Sequence, residues 1–178
     1  MVKIVSEKIL HEGRFIRLIE ENGWEYIQRH NCTGIVIIAA LTDDQEVIFV
    51  EQFRPPLKKR VIEFPAGLMN DEAVDKEESI FEAAQRELLE ETGYQAGRIV
   101  KLFAGPVSSG SSADIATLVR AFDVKKIAEG GGVEDEDIIV HTVSLSDIPQ
   151  WLKTKEQEGC LIEPKVYTGL YFLTQSTA

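Results

Sequence analysis

From Val2 to Arg29, apolar and polar residues alternate in three short runs, Val2 to Leu10, Arg14 to Glu20 and Trp24 to Arg29, broken by Gly13 and by Glu-Asn-Gly at 21 to 23. A two-residue period between turn residues predicts three antiparallel strands. Strands this short bury little by themselves, so they must pack on the rest of the chain or on another copy of it. From Gly34 the pattern changes to nearly continuous apolar runs, GIVIIAAL and EVIFVEQF, on either side of the polar TDDQ. That arrangement predicts a hairpin of buried strands. A brief strand, VIEF, follows, and then a loop from Pro65 to Gly67. Further strands are expected near Val100 to Ala104, Ile115 to Val124 and Ile138 to Val143, with helices around SDIPQWL and from Pro164 through KVYTGLYFL.

The segment EESIFEAAQRELLEETGY, residues 77 to 94, has the helical period. Asp75 and Glu78 are spaced as a capping box and Gly93 is placed for a left-handed end. Its charges contradict its pattern. Ile80, Ala84 and Leu88 define an apolar arc, and at about 100° per residue Glu87 and Glu91 fall within roughly 20° of Ile80, inside that arc. Two unpaired carboxylates turned toward the protein body are costly, so a cation should meet them. Carboxylates one helical turn apart suit a hard divalent ion, Mg²⁺ or Mn²⁺.

Strands flanked by helices imply an α/β (α+β) sandwich around a mixed sheet. At 178 residues the chain suits one domain with a small appendage. Its net charge of −11 argues against nucleic acid or an anionic membrane as partner, and it means that any phosphate ligand needs a metal or a few placed arginines. Cys32 and Cys160 are far apart and outside metal or redox spacing, which fits a reducing cytoplasm. Ser6, Glu7 and Lys8 interrupt the start where a signal peptide needs an apolar stretch, and no run is long enough to cross a bilayer. His11, His30 and His141 lack metal spacing and read as structural.

Glu78, seven residues, then Arg86-Glu87-Leu88-Leu89-Glu90-Glu91-Thr92-Gly93-Tyr94 resembles the Nudix box. One departure is that ten residues separate Gly67 from Glu78 where the family has five, which implies an enlarged loop. EQFRPPLKKRVIEFPAGL and VEDEDIIVHTV extend the resemblance to the ADP-ribose pyrophosphatase and nucleoside diphosphate sugar hydrolase branch, over about residues 5 to 172. The resemblance implies a Nudix α/β/α sandwich and metal-dependent cleavage of a nucleoside diphosphate sugar, ADP-ribose favoured. It also implies an N-terminal β-subdomain, residues 1–32, exchanged between the subunits of a homodimer, ahead of a hydrolase domain at 33–178.

The same resemblance implies residue roles. Glu87 and Glu91 match the main metal ligands, Glu90 a supporting one and the Ala66 carbonyl a backbone ligand. Arg86 matches the arginine that orients these carboxylates. Glu134 matches the catalytic base and Glu136 an extra metal ligand, with Glu136 the alternative base. Arg29 and Arg54 match phosphate contacts, Glu63 a contact to the distal ribose, and Phe15 and Trp24 the aromatics that sandwich the base. Ser109 and Gly110 fall in the loop beyond the box, and Ser109 stands where ADP-ribose enzymes carry proline. That substitution opens a broad or GDP-mannose-preferring activity as the alternative, ahead of a nucleotide-sensing domain without catalysis.

Overall fold

The computed structural model describes residues 7–70, 78–132 and 137–175. Strands β1 (Lys8–Glu12), β2 (Ile16–Glu21) and β3 (Trp24–Arg29) form a separate antiparallel sheet in that order. Asn22 and Gly23, with φ of 53° and 81°, close β2 onto β3 with Glu21 opposite Trp24, as a two-residue turn with both φ positive does in a right-twisted hairpin. Ile19 is fully buried, and most of the remaining apolar side chains of this sheet are exposed or half-buried. It joins the body through β3, where Ile27 N–H donates to the Ser111 carbonyl (3.0 Å) and Ala113 N–H to the Ile27 carbonyl (3.0 Å).

The body is one mixed sheet. Its strands are β4 (Gly34–Thr42), β5 (Glu46–Arg54), β6 (Lys59–Glu63), β7 (Ala66–Met69), β8 (Tyr94–Gln95), β9 (Arg98–Pro106), β10 (Ile115–Lys126), β11 (Ile138–Ser144) and β12 (Leu161–Ile162). The main path runs β12-β6-β5-β4-β10-β8, with β11 on β5, β7 on β4 and β9 on β10. β4 runs parallel to β10, and β12 parallel to β6. The expected hairpin is a splayed one: β4 and β5 pair only at Leu41 and Val47, after which β4 turns its edges to β10 and β7. The expected loop from Pro65 to Gly67 is the entrance to β7, whose residues pair with Gly34 to Ile37. Backbone pairing with β4 overrides the breaker chemistry of proline and glycine there.

The helices are α1 (Ile80–Thr92), α2 (Ile148–Gln157) and α3 (Pro164–Thr174). Alternate residues of β4 divide between two cores, as the two-residue period requires. Val36, Ile38 and Ala40 pack with Ala83, Ala84 and Leu88 of α1, whereas Ile37 and Ala39 pack with Ile148 and Leu152 of α2 and Val166 and Leu173 of α3. The result is an α/β/α sandwich. α3 lies very close to the sheet: a Cβ on Gly169 would fall 2.2 Å from the ring of Phe64. Among the described residues no helix is long and apolar enough to cross a membrane.

Candidate active site

The capping box of α1 is built one turn later than the sequence pattern places it. Ser79 Oγ accepts the Glu82 N–H (3.2 Å), and Glu82 Oε2 accepts the Ser79 N–H (2.9 Å). Asp75 lies outside the described residues, and Glu78 is occupied elsewhere. Glu78 N–H donates to Asn70 Oδ1 (2.6 Å) and Asn70 N–H to Glu78 Oε2 (3.2 Å), so the two ends of the enlarged loop clasp each other. Arg86 joins this clasp to the helix. Its Nε donates to Glu78 Oε1 (2.9 Å), its Nη1 to Glu87 Oε1 (2.8 Å) and Glu90 Oε2 (3.3 Å), and its Nη2 to the Leu68 carbonyl (3.0 Å). Hydrogen bonding to Glu78 raises the Arg86 pKa against the opposing effect of burial, and hydrogen bonding from Arg86 lowers that of Glu78.

α1 ends at Gly93 (φ 75°), whose N–H donates to the Leu89 carbonyl (2.8 Å). Farther along the chain, Gly130, Gly131 and Gly132 all have positive φ, and the N–H groups of Gly131 and Gly132 donate to the Glu91 and Glu90 carbonyls at 2.8 and 3.0 Å. These glycines satisfy helix-end carbonyls, as left-handed caps do. Glu134 and Glu136 lie outside the described residues.

Glu87 and Glu91 are 8% and 6% exposed. Glu91 Oε2 accepts the Ala66 N–H (3.0 Å), and the Glu87 carboxylate rests on β7 where a Cβ on Gly67 would fall 1.9 Å from it. Only glycine admits that approach. Both carboxylates border a cleft of 590 Å³ that also receives Arg29, Arg54, Glu63 and Ala66. Arg54 Nε donates to Glu63 Oε2 (2.7 Å), and Arg29 Nε sits 3.3 Å from Asp114 Oδ2 yet is buried without an aligned hydrogen bond. Pro55 and Pro56 stiffen the wall beside Arg54.

Sequence reasoning missed Gln52, Glu163 and Lys165, which also line the cleft. Burial lowers the Lys165 pKa, with Glu63 opposing and Arg54 reinforcing the shift, and Lys165 pairs with Glu163. Nothing in the local pattern of EPK marks it, because it reaches the cleft only through the packing of α3 on the sheet. Trp24, Ser109 and Gly110 are brought together in another cleft, of 500 Å³, which shares no described lining residue with the first. Phe15 and Trp24 are 57% and 64% exposed.

Among the described residues no group of three or more His, Cys, Asp or Glu side chains is arranged to hold a metal ion. Two buried carboxylates with a backbone neighbour nonetheless fit Mg²⁺, which ordinarily takes one or two carboxylates and completes its shell with water and substrate phosphate. The cleft therefore offers hard anionic oxygens on the α1 side and three cations, Arg29, Arg54 and Lys165, among its other walls.

The NUDIX domain model matches residues 32–161. The chain belongs to the NUDIX domain family. Among its relatives, an "ADP-ribose pyrophosphatase" of Bacillus subtilis (strain 168) is 35% identical over 124 residues, covering 69% of this chain and 64% of that protein. The chain thus matches less than two thirds of that relative's length. A "GDP-mannose pyrophosphatase" of Enterobacter sp. (strain 638) is 30% identical over 179 residues, covering 89% and 90%. A "Methanol dehydrogenase activator" of Bacillus methanolicus is 34% identical over 162 residues, covering 86% and 84%. A crystal structure of an "ADP compounds hydrolase" superposes with a TM-score of 0.64 at 21% identity over 82% of each chain, which shows the NUDIX fold.

Proposed function

We propose that this NUDIX protein is a divalent-metal-dependent hydrolase of nucleoside diphosphate sugars, with ADP-ribose, cleaved to AMP and ribose 5-phosphate, as the favoured substrate. The observation that carries this reading is the meeting of buried Glu87 and Glu91 with Arg29, Arg54 and Lys165 around one cleft. Names borne by two relatives support the substrate class. Mg²⁺, with Mn²⁺ as substitute, would be held by Glu87, Glu91 and the Ala66 carbonyl, with Glu90 and Glu136 assisting. When bound, such an ion neutralises diphosphate charge and makes water a stronger nucleophile.

The chain's own residues divide the remaining work. Arg29 and Arg54 grip phosphate oxygens, Glu63 holds Arg54 in place and contacts the distal ribose, and Arg86 keeps Glu87 and Glu90 aimed. Glu134, from the resemblance alone, takes the proton of the attacking water. Ser109 and Gly110 border the substrate, and Phe15 and Trp24 stack on its base, only if a second copy of the chain brings their cleft to the diphosphate. A cytoplasmic homodimer that exchanges residues 1–32 belongs to the same proposal.

Incubating the purified protein with Mg²⁺ and a panel of nucleotide sugars tests the reading. Release of AMP from ADP-ribose is expected, and no nucleoside monophosphate from any member would end it. Ser109 in place of proline favours the second reading, a broad or GDP-mannose-preferring enzyme, which the same panel ranks. Glu134→Gln should retain ligand binding while kcat falls by about 10²-fold or more. Equal turnover would remove Glu134 as the base and direct attention to Glu136.

A further inference from the structure

The last turn of α1 carries Glu90 and Glu91 but no lysine, arginine or histidine that could reach back to its open carbonyls. A segment between β10 and β11 fills that role. The Ile127 and Ala128 N–H groups donate to the Gly93 carbonyl at 2.8 and 3.0 Å, and those of Gly131 and Gly132 reach the Glu91 and Glu90 carbonyls. The two backbones lie so close that a Cβ on Gly93 would fall 2.1 Å from the Ala128 carbonyl oxygen, and one on Gly130 2.2 Å from the Thr92 carbonyl carbon. Resting on the hydrolase reading above, we infer that residues 127–132 are a positioning clamp for the divalent-ion site. They fix the backbone of Glu90 and Glu91, and with it the place where these carboxylates meet the ion.

Each glutamate is thereby held at two points. Glu91 Oε2 accepts the Ala66 N–H while its carbonyl accepts that of Gly131, and Glu90 Oε2 meets Arg86 while its carbonyl accepts the Gly132 N–H. Without the downstream donors these carbonyls would be orphans, and a final helical turn so left frays. A carboxylate on a fraying turn samples several positions, and a small hard ion such as Mg²⁺ demands near-ideal octahedral geometry. The end of α2 offers a contrast. Gly159, at φ 97°, donates its N–H to the Glu156 carbonyl (3.0 Å), and none of the described residues of α2 lines the cleft.

Gly131 and Gly159 make a matched pair for a test. A Cβ would meet its nearest atom at 3.9 Å on Gly131 and nothing within 4 Å on Gly159, so alanine at either adds only the strain of φ at 107° or 97°. Gly131→Ala and Gly159→Ala should therefore lower the melting temperature alike. Mn²⁺ binding read by electron paramagnetic resonance, and the Mg²⁺ dependence of ADP-ribose hydrolysis, separate them. In Gly131→Ala the Mn²⁺ dissociation constant should rise about tenfold or more, the scale of losing a ligand's outer support, and excess Mg²⁺ should restore much of the lost kcat. In Gly159→Ala both should stay at the wild-type values. Should Gly131→Ala not fold, Gly131→Asn, which tolerates positive φ, gives the same pattern at smaller amplitude. Mn²⁺ affinity unchanged at position 131, or lowered equally at 159, overturns the clamp. A wild type that binds Mn²⁺ yet hydrolyses no nucleotide sugar defeats the hydrolase reading alone, and the binding comparison still decides the clamp. A wild type that binds no Mn²⁺ defeats both.

Discussion

Gly67 is the residue on which the placement of Glu87 depends. A methyl group there would lie 1.9 Å from the Glu87 carboxylate, so Gly67→Ala must move either β7 or the carboxylate. Because reaction geometry is sensitive to shifts of about 1 Å, kcat should drop by about 10²-fold with the melting temperature little changed. Steady-state kinetics alongside a melting curve checks this, and an unaltered kcat would separate Glu87 from the chemistry. The inward turn of Glu87 and Glu91 was legible in the sequence because helical period is a local property. Lys165 was not, because its neighbours Arg54 and Glu63 are about a hundred residues away in the chain and meet it only after α3 docks.

At the scale of elements, Glu51 of β5 ties three others together. It is 5% exposed, and its carboxylate meets His141 of β11 (2.9 Å), Lys155 of α2 (3.1 Å) and Arg60 of β6 (3.6 Å). Burial pushes the Glu51 pKa up, but hydrogen bonds from Lys155 and His141 outweigh it and the net shift is down. Lys155 shifts up despite its own burial, through Glu158 and Glu51. A depressed carboxylate pKa gives stability that is present above its unfolded value and lost as pH falls through the folded one. A raised lysine pKa gives stability lost as pH rises through the folded value. Thermal melts should therefore show a plateau between the carboxylate and lysine ranges, and Glu51→Gln should lower it by about 3 kcal/mol while flattening both limbs. Limbs as steep as in the wild type would assign the pH dependence to other groups. The long apolar strands and all three helices could be read from periodicity. β7, β8 and β12 could not, since two to four residues carry no period and exist only because a neighbour supplies their hydrogen bonds.

For the whole molecule, the ion site proposed at Glu87 and Glu91 would make the fold sensitive to divalent ions. An ion that binds only the folded chain should raise its stability by about 2.7 kcal/mol at a hundredfold excess over its Kd. Titrating Mg²⁺ into a melting assay should give a saturable rise that EDTA reverses and Glu91→Gln abolishes. An identical response in Glu91→Gln would place the ion elsewhere. A mixed sheet flanked by helices was readable from the order of elements and its α/β/α layering from the family resemblance, whereas the splay of β4 from β5 depends on long-range pairing with β10 that no local pattern records. The Asn70–Glu78 clasp has a practical consequence at this scale. It buckles the residue after β7 to the residue ahead of Ser79, so strand and helix are pinned together where Glu78 meets Arg86, and Asn70→Ala should slacken that junction and lower the melting temperature.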